Sequence, residues 1–286
     1  MPDEDNLPPL VHTPKTLTEA LALLNAYPKA QLWAGGTASP EQDFGSPIRL
    51  PTTVVSLHLV DELKRVQYGD RFVDLGAGMP LNQVLHVVKA FLNPALRQAI
   101  LATGYTALRN LATLGGNLCQ KGFFGDLFPV LHLIGAQFEF RGVRSSRWLT
   151  STQVSDQGRL TPLAGEILTR VRIPQEEWPH FFYQKIGNFR TPWDERLSMT
   201  ALARTKHGLV EALRLIFYLP HTGLLRHRGL EAEFVGQRVP FAPRLRQEAL
   251  KSIQEAMQGL SLPPSLFQKD RVLHMTRWVL SQIQDD

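Results

Sequence analysis

The chain has 286 residues, 43% hydrophobic and 20% charged, which is enough to bury a substantial core in one large or two modest domains. Its single cysteine, Cys119, excludes an internal disulfide framework, and equally an iron–sulfur cluster or zinc cage built from its own thiolates. The net charge of +5 is dispersed over Arg141, Arg144 and Arg147, Arg226 and Arg228, and Arg244 and Arg246, with no interleaved aromatic platform. That pattern argues against nucleic acid and reads first as solvated loops, the alternative being that some of these arginines face an acidic partner subunit or an anionic cofactor.

The first residues, Met1-Pro2-Asp3-Glu4-Asp5, are acidic and lack the basic-then-apolar pattern of an export signal. No uninterrupted apolar segment has the length of a bilayer span, so a reduced cytoplasmic setting is expected. Thr16-Leu17-Thr18-Glu19 has capping-box spacing, and Leu17, Leu21 and Leu24 follow on one helical face up to Tyr27-Pro28. Residues 30–33 read as a strand that delivers the chain into Ala34-Gly35-Gly36-Thr37. A Pro-rich loop at 47–51 precedes a strand at 54–57, and residues 66–68 and 72–75 form a hairpin around Gly69-Asp70.

Pro80 suits the first turn of a helix running through Val84, Leu85 and Val88. A second helix is expected at 95–102, then the glycine-bearing stretch 104–117, then an apolar helix at 126–134. Strands are expected at 137–140, 166–173, 181–185, 197–204 and 213–219, and amphipathic helices at 243–257 and 269–283. The segment from Pro174 to Pro179 reads as a linker. It separates a first domain, 1–174, with parts of about 1–55 and 56–174, from a second, 180–286.

Adjacent glycines directly after a strand let the backbone turn sharply and approach a ligand without an intervening Cβ. Successive N–H groups in such a turn suit an anion such as a pyrophosphate, and the hydroxyls of Thr37 and Ser39 add donors. Taken alone, one Gly-Gly pair is a tight turn, and its spacing is not the Gly-x-Gly-x-x-Gly fingerprint of a Rossmann domain. A second pair, Thr113-Leu114-Gly115-Gly116-Asn117, lies downstream of Gly104 and Arg109. Two such segments suit the two ends of a diphosphate-containing cofactor.

Gly104, Arg109-Asn110, Ala112-Thr113 and Gly115-Gly116-Asn117, preceded by Ala34-Gly35-Gly36-Thr37, resemble the FAD-binding subunits of xanthine dehydrogenase, carbon monoxide dehydrogenase and related molybdenum hydroxylases. The resemblance runs over essentially the whole chain. It implies an α+β fold of the vanillyl-alcohol oxidase type, with two α+β subdomains and a small α+β C-terminal domain. It implies non-covalent FAD, with iron–sulfur and molybdenum cofactors only on partner chains: an iron–sulfur small subunit and a molybdenum-cofactor large subunit. Position by position, it implies that Leu32, Trp33, Ala34, Gly35, Gly36, Thr37, Ala38 and Ser39 wrap the pyrophosphate. Thr113, Gly115, Gly116 and Asn117 would complete that cradle, downstream of Gly104, and Thr103 falls where some relatives place an aromatic residue against the flavin.

The resemblance also places Asp126 on the cofactor ribose, a task that suits a carboxylate accepting from two hydroxyls. The residue alone equally fits a helix cap before Leu127. Leu168 matches a backbone position over the cofactor, and Lys185 matches a lysine beside the flavin, where a cation stabilises developing negative charge; by itself it is a strand-end lysine. The chain departs from its relatives at Ala38, at Lys121, Phe123 and Phe124, and at Glu195-Arg196-Leu197-Ser198. No histidine pair has metal-ligand spacing, and His221 and His227 read as loop residues. Cys119 reads as a buried thiol, and Phe181-Phe182-Tyr183 as core.

Three functions follow: an electron-passing flavin subunit of a larger complex, a self-contained flavin oxidoreductase akin to UDP-N-acetylenolpyruvoylglucosamine reductase, or a scaffold without flavin. The first fits best, because no substrate pocket or acid–base residues stand out.

Overall fold

The computed structural model describes residues 9–37, 51–91, 94–120, 125–156, 159–188, 190–220 and 222–285. In chain order they form β1 (Leu10–His12), α1 (Leu17–Ala26), β2 (Gln31–Trp33), β3 (Thr53–Ser56), β4 (Val66–Tyr68), β5 (Phe72–Gly76), α2 (Leu81–Phe91), α3 (Pro94–Leu101), α4 (Thr106–Leu111) and α5 (Leu114–Cys119). Next come α6 (Phe128–Leu133), β6 (Gln137–Arg141), β7 (Ser146–Thr150), α7 (Ser151–Val154), β8 (Ser155–Asp156), β9 (Arg159–Leu160) and β10 (Ile167–Pro174). The remainder is β11 (His180–Ile186), β12 (Leu197–Lys206), β13 (Leu209–Leu219), β14 (Gly223–Leu225), α8 (Arg228–Glu233), α9 (Pro243–Gln258) and α10 (Leu266–Gln282). Contacts divide the chain into one unit of residues 1–92, 103–125 and 135–175, and another of 93–102, 126–134 and 176–286.

In the first unit, β1, β3 and β2 form a parallel sheet in that order. Helix α1 covers it with Leu17, Ala20, Leu21 and Leu24, which pack with Val55, Leu57 and Val60. Thr16 caps α1 by accepting the Glu19 N–H at 3.2 Å. Glu19 accepts from the N–H of Lys15 rather than Thr16, at 2.8 Å, so the return half of the expected capping box is displaced by one residue. Pro80 stands just before α2, where it bridges to Thr113, instead of inside the first turn.

The second sheet of this unit is antiparallel, in the order β4-β5-β10-β6-β7. Strand alternation puts Val73, Leu75, Phe138, Phe140, Val171 and Ile173 into the core. The intervening positions carry a charge ladder across paired strands. Arg172 grips Asp74 at 2.7 and 2.8 Å, and Arg170 grips Glu139 at 2.7 Å through each of two nitrogens. The Arg172 guanidinium also lies over Phe72 at 4.1 Å and Trp148 at 4.2 Å. Arg147, expected in a solvated loop, is on β7 and pairs with Glu166 at 2.8 and 2.7 Å. Isolated arginines carry no periodic signal, so a short edge strand bearing one is hard to read from sequence.

In the second unit, β11, β12, β13 and β14 form an antiparallel sheet in that order. Met199, Ala201 and Ala203 of β12 pack with Ala249, Ile253 and Met257 of α9 and with Val272, Met275 and Val279 of α10. Phe182 meets Trp278 edge-on at 5.4 Å and packs against this core, but Phe181, Phe182 and Tyr183 are all half-buried rather than fully inside it. Arg226 grips Glu231 at 2.8 and 2.9 Å, and Glu231 also accepts the Leu215 N–H. His227 caps α8, its Nδ1 accepting the Leu230 N–H at 2.8 Å.

His132, on α6, is pushed down to about 4 by burial and then by the charges of Arg226 and Arg228. The folded state therefore disfavours its protonated form. The stability that rests on a neutral imidazole is full above about pH 6.5 and declines as pH falls toward 4. A His132→Gln variant is expected to lose that part of the acid slope, measured as denaturation midpoints from pH 7 to pH 4. An unchanged slope contradicts the assignment.

Candidate cofactor-binding site

Strand β2 ends at Trp33, and the chain turns at once through Gly35 and Gly36. A Cβ on Gly35 would lie 1.8 Å from the Leu111 carbonyl oxygen, so only hydrogen fits there. Gly36 has φ of 63°, in the left-handed region, with open space where a side chain would project. Among the described residues, the N–H groups of Gly35, Gly36 and Thr37 donate to no carbonyl and no side chain. Three consecutive uncommitted donors beside a side-chain-free turn fit an anion.

The second glycine segment differs from expectation. Thr113 is the N-cap of α5, and its Oγ1 accepts the Gly116 N–H at 3.1 Å. The N–H of Leu114 goes to Met79 O at 2.9 Å, that of Gly115 to Ala77 O at 2.7 Å, and that of Asn117 to Thr113 O at 3.0 Å. Residues 114–117 thus offer no spare donors through the backbone, and the segment opens a short helix rather than an open loop. Its glycines serve close approach. A Cβ on Gly115 would be 3.0 Å from both the Cβ and the oxygen of Ala77, and one on Gly116 would meet only Thr113 Oγ1.

Gly104, at φ of 56°, turns the chain into α4. Arg109 holds that turn from within. Buried at 8% exposure, it donates to Gly104 O at 2.6 Å, Thr103 O at 3.4 Å, Thr106 Oγ1 at 3.1 Å and Asn82 Oδ1 at 3.3 Å. The motif needs an arginine because only a fork of several donors satisfies this set of oxygens.

These segments wall two adjoining cavities in the first unit. One, of about 200 Å³, is lined by Leu32, Trp33, Ala34, Gly35, Gly36 and Thr37, with Thr103, Thr113, Gly116 and Asn117. The other, of about 120 Å³, is lined by Gly115, Ala77, Gly78, Leu57, Leu63 and Leu168. Leu32, Ala34, Gly116 and Cys119 border both. Polar donors on one side and apolar walls on the other match the division in a dinucleotide between phosphates and flat rings. Cys119 keeps some surface because it faces these cavities, yet burial pushes its thiol up to about 12, so it stays protonated. Sequence reasoning missed Leu57, Leu63, Ala77 and Gly78, although the triplet Gly76-Ala77-Gly78 is itself a signal of close backbone approach.

Asp126 and Lys185 belong to the second unit and meet there. Lys185 Nζ lies 2.7 Å from Asp126 Oδ1 and 2.9 Å from Oδ2, and donates to Ala102 O at 3.3 Å. The Asp126 side chain is 1% exposed. Helix α6 begins later, with Leu127 as N-cap and no side-chain cap bond, so Asp126 is an ion-pair partner and not the helix cap. Burial, and then the Asp126 charge, push the neighbouring Tyr183 phenol well up. Ala38, Ser39, Lys121, Phe123, Phe124 and His221 lie outside the described residues.

Residues 6–176 match the family described as the FAD binding domain in molybdopterin dehydrogenase. The chain belongs to that family. The xanthine dehydrogenase FAD-binding subunit of Escherichia coli O157:H7 is 25% identical over 288 residues, covering 95% of this chain and 94% of that one. Aldehyde oxidase 2 of Cavia porcellus is 29% identical over 184 residues, or 59% of this chain, and the match spans only 14% of that longer protein. Quinoline 2-oxidoreductase from Pseudomonas putida 86 superposes with a TM-score of 0.77 at 22% identity, covering 97% of this chain and 95% of that one. The expected α+β, vanillyl-alcohol oxidase type of FAD-binding fold holds. Among the described residues, no helix is long and apolar enough to cross a membrane, and no group of three or more His, Cys, Asp or Glu is placed to hold a metal ion.

The two glycines of the first segment are expected to respond differently to alanine. Gly35→Ala drives a methyl into the Leu111 carbonyl and is expected to cost about 2–3 kcal/mol of stability, as overpacking does. Gly36→Ala meets open space and is expected to cost about 1 kcal/mol, the penalty for a left-handed L-residue. Denaturant midpoints of the two variants measure this, and equal or reversed costs contradict the geometry.

Proposed function

We propose that this chain binds FAD non-covalently in the two cavities of its first unit and serves as the electron-transferring flavin subunit of a molybdenum hydroxylase complex. The observation that carries this reading is the run of three N–H groups, at Gly35, Gly36 and Thr37, that donate to no acceptor among the described residues. They border a cavity that Thr113, Gly116 and Asn117 of the second glycine segment also line. In this reading Leu32 to Ser39 wrap the pyrophosphate, with donors from the first glycine segment. Thr113, Gly115, Gly116 and Asn117 supply a surface the cofactor can approach closely, with Thr103 and Gly104 beside it. Leu168 closes the apolar end.

Asp126 and Lys185, an ion pair within the second unit, enter the proposal with the roles that the resemblance implies, a ribose contact and a flavin-stabilising cation. Residues 1–174 would act as the FAD-binding domain and 180–286 as the C-terminal domain. When bound, FAD supplies the redox chemistry, taking electrons from iron–sulfur clusters on a small partner subunit and handing them to an external acceptor. The organic substrate would be oxidised on a large partner subunit carrying the molybdenum cofactor, and the assembly would be cytoplasmic. The single cysteine supports this division, because this chain lacks the thiolates for its own clusters.

Gly36→Leu and Gly116→Leu are each expected to abolish stoichiometric flavin binding, read by fluorescence titration of the folded proteins. Full FAD occupancy in both would overturn the cradle. Asp126→Asn is expected to weaken FAD by about tenfold, the worth of one charge-assisted hydrogen bond of roughly 1.5 kcal/mol. The lone chain loaded with FAD and supplied with NADH as reductant is expected to pass electrons to dyes but not to hydroxylate a purine or an aldehyde. Hydroxylation by that metal-free chain would favour a self-contained flavin oxidoreductase instead.

A further inference from the structure

Strand β10 carries an irregularity next to the cavity. Leu168 pairs with Phe140 and Arg170 with Glu139, which leaves Thr169 as the extra residue of a β-bulge. Bulges re-aim side chains and interrupt the ladder, so they persist where other bonds hold them. Thr169 is 3% exposed and anchored in two directions. Its hydroxyl is 2.6 Å from Glu139 Oε2 and 3.2 Å from Glu139 O, and its carbonyl accepts the Ala77 N–H at 2.9 Å. Ala77 O in turn accepts the Gly115 N–H at 2.7 Å. Leu168, one residue before the bulge, lines the apolar cavity beside Ala77 and Gly115.

Glu139 is 1% exposed, a costly place for a carboxylate unless its oxygens are fully bonded. Beyond Thr169 it accepts from Arg170 through two nitrogens at 2.7 Å, and from Arg141 at 3.0 Å. Burial works to raise this carboxyl, but hydrogen bonds from Arg170, Thr169 and Arg141 overcome it and hold the group down to about 2. The anchor is therefore ionised throughout the physiological range. A core strand needs no buried carboxylate for packing; here the carboxylate fixes the bulge residue whose carbonyl accepts the Ala77 N–H, and Ala77 in turn holds Gly115.

We infer that Thr169 and Glu139 are positioning residues for the flavin cavity, acting through the continuous bonds Glu139–Thr169–Ala77–Gly115 that set both Leu168 and the second glycine segment. The inference rests on the FAD reading for its functional consequence, but the coupling itself is a property of the flavin-free chain. The test compares Thr169→Val, which keeps the shape and loses the hydroxyl, with Thr169→Ser, which restores it. Arg170→Gln serves as a third variant that loosens Glu139 from a partly exposed position.

Three quantities are read on the full chain: amide hydrogen exchange at Gly115 without flavin, and the dissociation constant and visible circular dichroism with FAD. The Val and Gln variants are expected to speed Gly115 exchange by about tenfold while β12 and α10 exchange as before, a local rather than global opening. They should also weaken FAD by about tenfold with a changed flavin dichroism, and Ser should restore all three. Unchanged Gly115 exchange in a folded Val or Gln variant overturns the inference whether or not FAD binds. If Val does not fold, Gln decides in the same way. Faster Gly115 exchange in a chain whose wild type takes no FAD supports the coupling and overturns the FAD reading instead.

Discussion

The hydrogen bond from the Gly115 N–H to the Ala77 carbonyl, 2.7 Å long, is the contact on which the site depends. It brings two backbone segments to a distance at which a Cβ on Gly115 would press 3.0 Å against Ala77. The same crowding recurs around it. A Cβ on Gly76 would lie 2.2 Å from Leu63 O, and one on Gly35 would lie 1.8 Å from Leu111 O. Four stretches, around residues 35, 63, 77 and 115, thus approach through their backbones rather than their side chains. What remains between them is space bordered by N–H groups and short side chains, which is what a phosphate-bearing cofactor requires.

This packing also explains why the two glycine motifs, alike in sequence, do different physical work. The first leaves three N–H groups without an acceptor among the described residues, at a left-handed turn. The second spends its donors on Met79, Ala77 and the Thr113 cap. One segment can bind an anion directly, whereas the other supplies a rigid wall. Arg109 is neither ligand nor surface charge, since its guanidinium is used up on the carbonyls of Thr103 and Gly104 and their neighbours. The second unit follows the same logic of satisfied charge, with Lys185 against Asp126 and Arg226 against Glu231.

Much of this was legible in the sequence because it rests on local signals. The hairpin signal at Gly69-Asp70 between residues 66–68 and 72–75, the Thr16 cap and the amphipathic patterns of α9 and α10 each set an element without distant partners. Gly-Gly pairs next to Thr and Asn pointed to the cavity, and Leu32 to Thr37, Thr103, Thr113, Gly115 to Asn117 and Leu168 all line it. What stayed hidden depends on long-range pairing. Strand β7 shows no periodicity of its own, and its Arg147 finds Glu166 only across the sheet. Asp126 and Lys185 had separate roles on paper, but they are 59 residues apart and meet only in the folded second unit. The committed N–H groups of residues 114–117 likewise depend on residues 77 and 79, which no local pattern connects to them.

The central claim is that Gly35, Gly36 and Thr37 hold the cofactor's phosphates through their N–H groups. Amide resonances of these three residues, followed in the labelled full chain during titration with FAD, ADP and riboflavin, test it directly. FAD and ADP are expected to shift and protect all three amides, while riboflavin, which has no phosphate, leaves them unchanged. FAD binding that leaves these amides unshifted and freely exchanging would contradict it.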